Sequence, residues 1–198
     1  MWGGERSIEV SGKFAGAAPG LVLEPELVRR LAAARTSLGI RLESLEIGRA
    51  VRATRARREG RTNSQVSVHL LVRGDFEPDV FTNRIGIHPT STVRKEQPRR
   101  LMARFDTWKY KIGPLSVAHF PAWAADQLLE QLLPRANAIR AAVGEFSLRS
   151  SFTFSAACED VAPTLLISPG QLAGITELET HLEFAVTVVR ENETFLEF

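Results

Sequence analysis

The feature that most constrains the fold of this chain is a match to itself. At an offset of 144, residues 7–42 align without a gap onto residues 151–186. Ser7, Ile8, Val10 and Ser11 meet Ser151, Phe152, Phe154 and Ser155, so both stretches keep the period-two alternation of a half-buried strand. Pro19, Leu21, Leu23 and Pro25 meet Pro163, Leu165, Ile167 and Pro169, and Thr36, Leu38, Ile40 and Leu42 meet Thr180, Leu182, Phe184 and Val186. Each stretch therefore reads as strand, loop, short strand, helix opening at a proline, and strand. Ser168, Pro169 and Gln171 spell a capping box at the second helix start. Glu24 stands in the serine's place in the first stretch, which predicts a weaker cap.

Taken as a domain period, the offset divides the 198 residues into three parts. Residues 1–48 are the C-terminal strand-helix-strand part of a preceding unit, residues 49–64 a basic linker with Arg49, Arg52, Arg55, Arg57, Arg58 and Arg61, and residues 65–198 a complete domain. The complete unit opens with Val66, Val68, Leu70 and Val72 alternating with Ser67, His69, Leu71 and Arg73. Pro78 starts a short helix ended by Gly86, with Asp75 as the expected cap, and Trp108, Tyr110 and Ile112 mark a second strand. The longest helix begins at Pro121 and should kink at Pro134; Phe146, Leu148, Phe152 and Phe154 form the next strand. Interleaved strands and helices with hairpin-like neighbours predict an α+β two-layer sandwich, a mostly antiparallel sheet with helices packed on one face. The front strands cannot make a stable sheet alone, so they are expected to join the complete unit's sheet or pair with a second copy across a dimer.

Gly74, Asp75 and Pro78, the phrase Ile85, Gly86, Ile87, Pro89 and Thr90, the basic pair Arg94 and Lys95, the strand residue Trp108, and Ser168, Pro169 and Leu172 together resemble the bacterial domain-of-unknown-function family 4279. The resemblance covers about residues 65–190; Glu96 departs from the glycine usual there, and Gln171 from an apolar or acidic residue. It implies a domain of the length set by the offset, and no activity.

Composition narrows the chemistry further. A lone cysteine, Cys158, excludes an internal disulfide and any multi-cysteine metal centre within one chain, and its neighbours Glu159 and Asp160 disfavour a thiolate. No window approaches the roughly 18 apolar residues of a membrane span, and Glu5 and Arg6 interrupt any apolar leader, so a cytoplasmic location without membrane contact is expected. The net charge of +2 conceals a basic front, +5 over residues 1–64, and an acidic end, −6 over residues 146–198. Asp75, Glu77 and Asp79 alternate like a calcium loop, but Val80 and Gly86 stand where that loop needs Gly and Glu. His69, His88, His119 and His181 lack metal-ligand spacing, and His69 and His181 are read as solvent-facing sheet residues. No catalytic motif, cofactor or metal site is expected.

One stretch combines cations with aromatics. Arg94, Lys95, Arg99, Arg100, Arg104, Lys109 and Lys111 surround Phe105, Trp108 and Tyr110, a mixture suited to phosphate contacts and stacking, although Trp108 also falls on core parity. Arg94, Lys95, Arg99, Arg100, Arg104, Trp108 and Lys109 are the candidate binding residues. The leading expectation is a non-catalytic binding module for another protein, immunity- or inhibitor-like, or self-associating through the front strands. A nucleic-acid module using the arginine-rich stretches is the alternative, and an unrecognised enzyme the third.

Overall fold

The structure is a computed structural model that describes residues 6–14, 20–44, 65–95, 104–116, 121–158 and 165–188. In chain order its strands are β1 (Arg6–Phe14), β2 (Gly20–Leu23), β3 (Thr36–Ser44), β4 (Gln65–Gly74), β5 (Ser91–Val93), β6 (Asp106–Ser116), β7 (Arg149–Cys158), β8 (Leu165–Ile167) and β9 (His181–Val188). Its helices are α1 (Pro25–Ala33), α2 (Pro78–Ile85), α3 (Pro121–Leu132), α4 (Ala136–Glu145) and α5 (Pro169–Glu177).

Local chemistry sets the boundaries. Pro134 converts Leu133–Arg135 into a 3-10 turn that separates α3 from α4, the expected kink. Gly86 closes α2 in the left-handed region at φ 70°, where a side chain would be strained. Ser147 also has a positive φ, 52°, so the chain turns there and β7 begins at Arg149. Phe146 and Leu148, expected in that strand, instead lie in the turn and pack against the core from outside it.

The fold is α+β with two sheets rather than one. The larger runs β2-β9-β7-β4-β6-β5 and the smaller β1-β3-β8. Each is mixed: β7 and β9 run parallel, as do β1 and β3, while the remaining pairs are antiparallel. Most pairs among the described residues are antiparallel, as expected; the split into two sheets and the two parallel pairs were not, and in each parallel pair a helix lies between the strands, between β7 and β9 and between β1 and β3. At these two places the connection carries the chain back to the starting end of the sheet, so the flanking strands run parallel.

Val68, Leu70 and Val72 of β4, Phe152 and Phe154 of β7, and Leu182 and Phe184 of β9 join α3 residues Ala124, Leu128 and Leu132 in one buried cluster. The same cluster takes in Val28 and Leu31 of α1, Leu38 and Ile40 of β3, Leu165 and Ile167 of β8, and Leu172 and Ile175 of α5. The front residues are thus bound into the core of the whole.

How they are bound follows the 144-residue offset closely. Helix α1 moved by 144 coincides with α5, end to end. Arg35 and Glu179, also 144 apart, turn the chain at φ 50° and 52°. Ile8 pairs with Leu38 and Val10 with Ile40, as Phe152 pairs with Leu182 and Phe154 with Phe184. The short strands cross over reciprocally: Leu21 of β2 pairs with Phe184 of β9, while Leu165 of β8 pairs with Ile40 of β3. Helices α1 and α5 pack against each other. Among the described residues the front strands therefore hydrogen-bond to the larger sheet through β2, and receive β8 in return.

Candidate binding surface

Strand β6 separates the cations of the basic stretch from its aromatics. Because side chains alternate along a strand, Trp108 and Tyr110 face the helices while Lys109 and Lys111 face away. Trp108 is 0% exposed; its Nε1 donates to Thr82 Oγ1 at 3.1 Å, and its ring meets Phe81 edge-on with centroids 5.3 Å apart. A ring fixed in this way cannot stack on a ligand, which removes Trp108 from the candidate set. Core parity, rather than the surrounding charge, decides its place.

The cations at the start of the stretch are held by acids. Arg94 donates to Asp79 Oδ2 at 2.8 Å and Lys95 Nζ to Asp75 Oδ1 at 2.5 Å, while the Lys95 backbone N–H donates to Asp106 Oδ1 at 3.0 Å. Contrary to the expectation from sequence, Asp75 does not cap α2; the cap position is Glu77, which makes no side-chain cap bond. Asp75 is instead part of the clasp that ties Lys95 beside α2. Arg104 is exposed and Lys109 half-buried on the sheet face away from the helices. Arg99, Arg100 and the linker at 49–64 lie outside the described residues. The candidate residues therefore do not converge on one described surface.

On the sheet face away from the helices, His69 lies opposite Lys111 of β6 on one side and Thr153 of β7 on the other. His69 is 6% exposed and its Nδ1 has no hydrogen-bond partner, so it is not the solvent-facing residue expected. Burial, and then the charges of Lys109, Lys111 and Arg73, lower its pKa from 6.5 to about 3. An imidazole so strongly biased to its neutral form is a poor proton shuttle near neutrality. His181 does not meet it, because β7 lies between β4 and β9. His181 Nδ1 sits 3.1 Å from Glu24 Oε2, in a contact with the geometry of a charge pair and not of a directed hydrogen bond. Among the described residues no group of three or more His, Cys, Asp or Glu could hold a metal ion, and no helix is long and apolar enough to cross a membrane.

The third place to consider is the outer edge of β1. Its counterpart β7 is paired on both sides, parallel to β9 and antiparallel to β4. Strand β1 has the matching parallel partner, β3, but among the described residues nothing pairs with its other edge. Ser7, Glu9 and Ser11 are exposed, and Ile8, whose counterpart Phe152 is fully buried, is 46% exposed. An unpaired edge offers a row of backbone N–H and C=O groups to any extended chain. Alternation reveals the strand, but only the sheet order reveals that its neighbour is missing.

The sequence model of the family described as "Domain of unknown function (DUF4279)" matches residues 64–189. No curated protein and no solved structure matches the chain.

Proposed function

From the premise that the chain belongs to the DUF4279 family, we propose that it is a non-catalytic binding module that takes up an extended segment of another polypeptide at the open edge of β1. Residues 6–44 are read as a second, partial copy of the C-terminal half of the family unit. The observation that carries the proposal is the contrast between equivalent strands: β7 is flanked by β4, and β1 has no such neighbour among the described residues. Main-chain pairing at a sheet edge supplies affinity, and the alternate side chains of the added strand supply selectivity. The protein-partner reading is favoured over the nucleic-acid one because Arg94 and Lys95 are paired with Asp79 and Asp75, and because Trp108 is in the core.

Since β4 fills the equivalent place, a peptide with the sequence of Gln65–Gly74, made soluble by flanking lysines, is the natural probe. It should bind saturably and slow hydrogen exchange at the β1 amides. Proline placed at Glu9 and at Val10 in turn provides the control, because neighbouring N–H groups of a strand point to opposite edges. One substitution disturbs pairing with β3, while the other removes a donor only from the outer edge and should weaken peptide binding with the fold intact. Unchanged exchange at β1 in saturating peptide, in a chain kept monomeric, overturns the proposal.

A further inference from the structure

We propose that the strand taken up at this edge is β1 of a second copy of the same chain, in an antiparallel pair whose two-fold axis passes at Ser11. The inference rests on the edge-binding reading above and names its occupant.

The sequence of β1 is close to its own complement. Antiparallel partners lie directly opposite with side chains on the same face, so a two-fold axis must pass at a residue for Ile8 and Val10 to stay on the apolar side. An axis between residues would turn them toward the polar side of the partner. An axis at Glu9 sets Glu9 against its own symmetry mate, two like charges in direct opposition. An axis at Val10 places Glu9 opposite Ser11 and Ser7 opposite Lys13, with no charge matched. At Ser11, position 9 falls opposite position 13, an acid opposite a base, and symmetry repeats the match. The same register sets Ile8 opposite Phe14 and Val10 opposite Gly12.

Charges on an edge strand ordinarily keep it from pairing. In β1 their signs and spacing instead reject one register and favour another. The product is a continuous sheet in the order β8-β3-β1-β1-β3-β8, and it covers Ile8, the exposed apolar residue beside the buried Leu38. The antiparallel neighbour it supplies to β1 has the direction that β4 has beside β7.

The test is sedimentation velocity of the full chain, whose monomer is 21.9 kDa, across a concentration series. The expected species is a dimer. Glu9→Lys and Lys13→Glu should each create two like-charge pairs and weaken the dimer roughly tenfold. The double variant E9K/K13E reverses both members of each pair and should restore dimerisation to near the original level. Thermal melts of the dissociated variants show whether the fold is intact. A chain that stays monomeric up to its solubility limit overturns the proposal, as does a dimer that ignores Glu9→Lys or is not restored in E9K/K13E. If such a monomer still protects its β1 amides when the Gln65–Gly74 peptide is added, the edge-binding reading survives and the second copy is rejected as its occupant.

Discussion

His69 gives the most demanding test of the packing described above. Above pH 6.5 its imidazole is neutral in folded and unfolded chains alike, and it adds no pH dependence. Below that value the unfolded chain takes up a proton that the folded chain refuses until about pH 3. Stability must therefore fall as pH is lowered through this window, by about 1.4 kcal/mol for each unit once the unfolded imidazole is largely protonated. At pH 5 the accumulated loss from this residue is about 2 kcal/mol relative to pH 7.5, a large part of the margin of an ordinary domain. Carboxylates also titrate in this range, so the useful quantity is the difference between the natural chain and His69→Gln, which retains polarity without a titration. Urea unfolding of both proteins at pH 7.5 and pH 5 gives that difference directly. It should shift by about 2 kcal/mol against the natural chain at the lower pH, whatever the cost of the substitution itself. Parallel pH profiles would mean that the histidine is open to solvent in the folded protein and that the sheet face around Arg73, Lys109 and Lys111 is not closed over it.

Two further substitutions examine helix capping and the core tryptophan. The Ser168 side chain accepts from the Gln171 N–H, while the Gln171 side chain accepts from the Ser168 N–H, so Ser168→Ala should cost about 1 kcal/mol in chemical denaturation. Glu24→Ala, at the corresponding position of α1, should cost clearly less, because Glu24 makes no cap bond; equal losses would contradict the assignment. Trp108→Phe removes the donor to Thr82 Oγ1 and leaves a void beside Phe81, for an expected loss of about 2 kcal/mol with no effect on association at β1. A stability loss near zero would place the indole at the surface.

Much of the fold can be read from the order of residues because the informative patterns are local. Alternation locates β4, β6 and β7, prolines mark the starts of α1, α2, α3 and α5, and Pro134 marks the break before α4. The offset of 144 is enough to pick out the paired strand-helix-strand stretches from residue order alone. Which strands become neighbours cannot be read in the same way, because hydrogen-bonded register joins residues far apart in the chain and leaves no local trace. The same limit explains the candidate site. Arg94 and Lys95 look free in sequence, and only folding sets Asp79 and Asp75 against them. His69 has the polar parity of an exposed residue, but β6 and β7 flank it and its burial is a property of the assembled sheet. The open edge of β1 is legible in the sequence only as a need for partners, not as a surface.

The reciprocal exchange of β2 and β8 also fixes the order of events when the chain folds. Strand β2 is made before most of the described residues, but its hydrogen-bonding partner β9 is the last described strand to be made. A nascent chain therefore carries Leu21, Leu23, Val28 and Leu31 without their final contacts until β9 has emerged. Contacts of such long range slow folding and prolong the exposure of apolar strands. Folding of this protein should consequently benefit from chaperones, and the rate at which the stretch leading to β9 is translated should influence how much reaches the native state.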